Sequence, residues 1–197
     1  MGDPKSQARS RRDFLNRGYY APLRDAMVEL VRKQVSGRAT SANGPMTLLD
    51  ICCGEGYYTI AMGVVPGGDA YGFDLGKGMV RLAAKRGVRA LGIEYNPDLV
   101  TLSKRTAEAD GVTDKARFVE GDIFQTNFSD GTVLSLVLLP ELNLKLRPTI
   151  RNMKPGTRVV SNTFMMDDWE PDDTAVVAEN CSSYCRAYHW VVPAKVA

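Results

Sequence analysis

Leu48-Leu49-Asp50-Ile51-Cys52-Cys53-Gly54-Glu55-Gly56-Tyr57-Tyr58 is the stretch that decides the fold of this chain. A short apolar run carries one carboxylate and passes into a turn with two glycines, and a helix-compatible stretch follows. Glycine lets backbone approach a ligand closely, and a helix start offers N–H groups with no partner inside the helix. A dinucleotide-binding turn of the dehydrogenase kind needs a third glycine three residues after the second. Thr59 stands there, which counts against a nicotinamide-dependent oxidoreductase.

Outward from this turn, short apolar runs alternate with helix-compatible segments. The predicted strands are Met46–Cys52, Ala70–Asp74, Arg89–Glu94, Ala116–Glu120, Thr132–Leu139 and Arg158–Thr163. The predicted helices between them are Tyr57–Val65, Met79–Arg86, Pro97–Asp110 and Leu144–Met153. Asn96-Pro97-Asp98 is a helix start with proline in the first turn. Such alternation predicts an α/β, Rossmann-like fold: a mostly parallel sheet with helices on both faces. Upstream, residues 13–35 read as helix, interrupted early by Gly18 and Pro22, and 36–45 as a small polar loop. The expected organisation is an N-terminal helical segment, 1–44, followed by a Rossmann-like domain, 45–197. Asp167–Thr174 reads as an acidic loop and Tyr184–Val192 as a last strand, so the C-terminal edge of the sheet is expected to be incomplete.

Acidic residues recur where predicted strands end: Asp74 in YGFDLG, Glu94 in GIEYNPD and Asp122 in FVEGDIF. Ligands of open α/β sheets bind beyond the carboxyl ends of the strands, and an acid one strand after the glycine turn suits a pair of ribose hydroxyls. Asp50 to Asp74 is 24 residues and Asp74 to Glu94 is 20, so both acids have ribose-like spacing from a preceding strand. One cofactor has one ribose, so only one of Asp74 and Glu94 is expected to matter. Asp122 is placed to take an adenine amino group, with Ile123 against the ring.

With an acid followed by glycines at alternate positions, the turn resembles that of the class I S-adenosylmethionine-dependent methyltransferases. Cys52 stands where their first glycine belongs. The resemblance implies S-adenosyl-L-methionine as cofactor, held by Asp50, Cys52, Gly54, Gly56, Tyr57, Asp122 and Ile123, by Asn96, and by Asp74 or Glu94. In QARSRRDFLNRGYYAPLRDAMVELV, LLDICCGEGYYT and YGFDLGK, residues from about 3 to 86 resemble the bacterial 23S ribosomal RNA guanine-N1 methyltransferases, without their cysteine-rich zinc module. In AAKRGVRALGIEYNPDLVTLSKRTAEADGV, FVEGDIFQTNF, LLPELNLKLRP and KPGTRVVSNTF, residues from about 83 to 197 look like a second class I group that includes protein-lysine methyltransferases. Where the two meet, FDLGKGMVRLAAKRG looks like a shortened second glycine-turn unit. An extra strand–helix unit near 71–88 is therefore expected, and a natural or engineered recombinant is the preferred origin.

The acceptor implied by these resemblances is RNA or protein. Leu139-Pro140-Glu141-Leu142 replaces the N-P-P-Y-type tetrapeptide of enzymes that methylate exocyclic base amines, which argues against that chemistry. Glu141 is the best-placed carboxylate to take a proton from an acceptor nitrogen or to orient it. A domain that binds cofactor or RNA without turnover is the alternative. Net charge is only +2, but residues 1–37 concentrate Lys5, Arg9, Arg11, Arg12, Arg17, Arg24, Arg32 and Lys33 against four acids, as an RNA-facing surface would. There is no apolar run of membrane-spanning length and no apolar leader, and a cytoplasmic location is expected. Cys52 and Cys53 are adjacent, and Cys181 and Cys185 with His189 form only a loose ligand spacing, so no metal is expected.

Overall fold

A computed structural model describes residues 5–35, 46–63, 69–177 and 186–194. Two helices, α1 (Lys5–Asn16) and α2 (Ala21–Val35), precede the sheet. Then follow β1 (Thr47–Ile51), α3 (Tyr57–Gly63), β2 (Asp69–Asp74), α4 (Lys77–Lys85), β3 (Arg89–Glu94), α5 (Pro97–Ala109) and β4 (Ala116–Glu120). The second half holds β5 (Val133–Leu136), α6 (Pro140–Arg151), β6 (Arg158–Asn162), β7 (Asp173–Val176) and β8 (Arg186–Val191).

The strand order is β4-β3-β2-β1-β5-β6-β8-β7. Strands β1 to β6 pair in parallel, whereas β8 is antiparallel to both β6 and β7. The order reverses between β1 and β5, and in open α/β sheets that reversal opens a crevice for ligand. The unit β2–α4 lies inside the sheet, between β1 and β3, as a full strand with its own crossover helix.

The two faces of the sheet carry different layers. Leu49, Ile51, Phe73, Leu134, Leu136 and Trp190 share a core with Leu146 and Ile150 of α6. On the opposite face, Leu48, Val133, Val160 and Ala187 pack on Leu23, Met27, Leu30 and Val31 of α2 and on Met62 of α3. Helices α4 and α5 complete that layer through Val80, Ala83, Val100 and Ala107. Near-complete burial of α2's apolar stripe stabilises it by about 1.5–3 kcal/mol per side chain. α2 is thus a layer of the sheet's own core.

Several boundaries differ from expectation for local reasons. The helix expected over 13–35 is two, because Gly18 turns the chain at φ 79°. Helix α6 begins at Pro140 rather than Leu144, since proline suits the first turn, where no N–H is needed. The acidic loop contains a strand: β7 reaches β8 through Asp173↔His189 to Val176↔Arg186. The C-terminal edge, expected to be incomplete, is instead extended by this antiparallel pair. Cys181 and Cys185 lie outside the described residues; His189 is buried in β8. Among the described residues no helix is long and apolar enough to cross a membrane.

Candidate active site

The strand β1 leads directly into a left-handed turn. Cys52, Gly54 and Gly56 have φ of 63°, 55° and 79°. A side chain at such φ costs about 1–2 kcal/mol, so Cys52 keeps a glycine's conformation while carrying a Cβ. The two glycines are needed for different reasons. A Cβ on Gly56 would meet Val88 at 2.8 Å, so there the chain passes too close to its neighbour. A Cβ on Gly54 would meet nothing within 4 Å: that face of the turn is open.

Asp50 lies under the turn, fully buried on the α3 face. Thr59 donates its hydroxyl to Asp50 Oδ2 at 2.5 Å. The other oxygen, Oδ1, makes no full hydrogen bond, although Ser135, its register partner on β5, is near enough to favour the charged form. Burial is the larger effect and raises the Asp50 carboxyl to about 6. Burial also pushes the Cys52 thiol up to about 12, with Asp74 and Asp50 adding to the rise, so Cys52 is not a nucleophile at neutral pH.

Asp74, at the end of the adjacent strand β2, ties two turns together. Its Oδ2 accepts from Gly54 N at 2.8 Å and its Oδ1 from Gly76 N at 2.6 Å. Glu94 ends β3, one strand further out. Its Oε1 accepts from Asn96 N at 3.1 Å and its Oε2 lies 3.5 Å from Lys77 Nζ. Asp122, beyond β4, accepts from Phe124 N at 2.9 Å; this bond lowers its carboxyl, and the Tyr95 hydroxyl adds to the effect.

The remaining sequence candidates divide between rim and core. Asn96 caps α5, its Oδ1 accepting from Asp98 N and Leu99 N. Tyr57 turns towards α2, where its hydroxyl accepts from Arg24 at 3.4 Å. Ile123 is only 5% exposed and belongs to the core with Phe73 and Ile93. Glu141 is exposed in the first turn of α6, just past β5.

Sequence reasoning missed Glu55, between the two turn glycines. It is 8% exposed, and Arg12 of α1 grips it at 2.7 Å. Arg86, past α4, reaches it from the other side at 3.2 Å. A charge inside a G-x-G turn needs a partner when buried, but no local spacing points to an arginine 43 residues upstream.

A family model for the ANTKMT methyltransferase domain matches residues 72–173. The chain belongs to that family. It is a class I methyltransferase of the kind that uses S-adenosylmethionine. Similar to it are a protein-lysine N-methyltransferase of Saccharolobus islandicus, 32% identical over 55% of this chain and 70% of the relative, and a human lysine N-methyltransferase named for a subunit of ATP synthase, 33% identical over 50% of this chain. The chain spans 44% of the human relative's length. Among solved structures, an RNA methyltransferase from Salinibacter ruber in complex with S-adenosyl-L-homocysteine is 29% identical. It covers 100% of this chain and 97% of its own, with a TM-score of 0.50. The family match begins in β2 and so omits β1 and the Cys52–Gly56 turn.

Proposed function

We propose that this protein is a protein-lysine methyltransferase whose S-adenosylmethionine lies at the end of β1, over Gly54, with Asp74 on the ribose. The observation that carries the placement is the left-handed turn at the point where the strand order reverses, with its open face over Gly54. The buried, under-bonded Asp50 beneath it also suits a cationic ligand overhead. The protein-lysine acceptor is supported by the family to which the chain belongs and by the two lysine methyltransferases similar to it.

The cofactor's sulfonium supplies the methyl group. The protein then has to bring a neutral amine in line with it and exclude water, which is chiefly positioning. A lysine arrives as an ammonium and must lose a proton first. Glu141, exposed beside the crevice between β1 and β5, is proposed to take that proton or orient the nitrogen.

The test is transfer of labelled methyl from S-adenosylmethionine to a cell-extract pool, followed by protease or ribonuclease and by mass spectrometry. Label in ε-methyl-lysine is expected. Label that survives protease but not ribonuclease would replace this reading with an RNA acceptor. That second reading is supported by the Salinibacter likeness and by exposed Arg9, Arg11 and Arg17 on and after α1. The likeness of residues 3–86 to ribosomal RNA enzymes, and a recombined origin, are proposed as part of that second reading. The start of the family match at residue 72 supports a junction there.

A further inference from the structure

We propose that the antiparallel edge of the sheet is a proton-operated latch: acidification releases β7 and residues 169–172 from β8, and His189 is the group that takes the proton.

Successive side chains of a strand point to opposite faces. Tyr188 and Trp190 belong to the core on the α6 face and Ala187 to the core under α2, so His189 points towards the α2 layer. It is fully buried, and among the described residues neither Nδ1 nor Nε2 has a hydrogen-bond partner. An imidazolium there would bring two donors and a charge into an enclosure that already satisfies neither nitrogen. The surrounding groups do not compensate. α2 contributes Met27, Leu30 and Val31 to this layer and keeps Glu29, Arg32 and Lys33 exposed. β6 places Val160 opposite His189, with Arg158 buried on the same face. β7 places Asp173 opposite on the other flank. Asp173 Oδ1 accepts from Thr174 N, and the neighbouring Asp172 Oδ2 from Val191 N. Burial holds the imidazole below its ordinary value, Arg158 acts in the same sense, and the two aspartates act against it.

The enclosure is weakest at the sheet's edge. β7 has four residues and is the terminal strand, beside β8. Residues 169–172 are fastened to β8 by three bonds. Trp190 Nε1 donates to Trp169 O at 2.7 Å, Asp172 N to His189 O at 2.8 Å, and Val191 N to Asp172 Oδ2 at 2.6 Å. Releasing this flank brings water to the imidazole while β6 and α2 stay packed. In the released form the imidazole regains its ordinary value near 6.5. The closed edge therefore binds fewer protons than the released one. It is fully favoured above that value and loses ground as pH falls below it, by up to about tenfold per pH unit, until the closed form itself takes the proton.

Both tryptophans of the chain, Trp169 and Trp190, lie on this latch, and His189 is its only histidine. Tag-free wild type and His189→Gln should be compared from pH 7.5 to 5 by amide hydrogen exchange, corrected for intrinsic rates, and by tryptophan fluorescence. In the wild type, exchange over β7 and β8 should rise by up to about tenfold per pH unit below about 6.5, with a red shift of emission. Exchange over β1 and β5 should not follow it. His189→Gln should hold both signals flat. Asp50, common to both proteins, acts on the whole fold and in the opposite sense. The imidazole proton resonances of the wild type give a measurement that needs no variant: in the closed protein they should not titrate at about 6.5. An imidazole that titrates there while β7 stays protected overturns the proposal. So does a wild-type edge that stays closed at pH 5, or equal acid release in His189→Gln.

Discussion

Two glycine turns follow adjacent parallel strands, and they are built differently. After β1, three residues take left-handed backbone, and the chain curls before α3 begins. After β2, Gly76 has φ of −79° and Gly78 is already in α4, so the chain runs from strand to helix with no curl. The first turn stands at the reversal of strand order, with β5 on its other side. The second lies inside the run β4-β3-β2-β1, where the strand order continues without reversal. The family match nonetheless begins at the second strand. The proposed placement of the cofactor rests on a pair of conditions that the first turn meets: left-handed backbone with an open face at Gly54, and a neighbouring crevice. A glycine spacing alone supplies neither.

The acids beneath the two turns sharpen the comparison. Asp50 is enclosed with one oxygen under-bonded, whereas Asp74 is bonded to two backbone N–H groups. The folded protein holds the Asp50 carboxyl at about 6, above the usual carboxylate range near 4. A raised acid gives stability that is full below its unfolded value and is lost as pH rises through the folded one. Relative to Asp50→Asn, the wild type should therefore lose about 3 kcal/mol between pH 4 and pH 6.5 and nothing beyond. Urea unfolding of both proteins across that range measures the difference; parallel profiles would show that Asp50 is not strained by burial.

The next effect in size separates the two ribose candidates. Asp74→Ala should weaken S-adenosylhomocysteine binding by roughly 2–3 kcal/mol, and Glu94→Ala by almost nothing, as read by titration calorimetry. The opposite order would move the cofactor to the second turn, in line with where the family match starts. Large, equal losses would contradict a single ribose site.

Much of this was legible in the residues. Strand–helix alternation gives the mostly parallel sheet with its helices. Two things were not legible. β7 is short, with alternating partly buried and exposed residues, and depends on pairing with β8, a partner distant in sequence. Competition between Asp74 and Glu94 could not be decided either, because spacing counts residues while φ at Cys52 and Gly76 decides which turn curls. Asn96 shows a second role that spacing does not reveal. It follows β3 in the position of a cofactor ligand, and its Oδ1 caps the start of α5.

The smallest expected effects test the turns themselves. Gly54 is left-handed with open space above it, so Gly54→Val should cost roughly 1–2 kcal/mol of stability through backbone strain alone. Its isopropyl group would then stand in that open space. If the cofactor lies there, affinity for S-adenosylhomocysteine should fall at least about tenfold in a protein that still folds. Gly78 also has no atom within 4 Å of an added Cβ, but its backbone is helical. Gly78→Ala should therefore stabilise the protein by up to about 1 kcal/mol, since glycine loses more freedom on entering a helix. Its methyl group should leave affinity unaltered if the cofactor lies over the first turn, as proposed. The two substitutions make one experiment, read by thermal midpoint and calorimetry on each variant. A stable Gly78→Ala protein that loses the ligand, beside a Gly54→Val protein that keeps it, would reverse the assignment of the two turns.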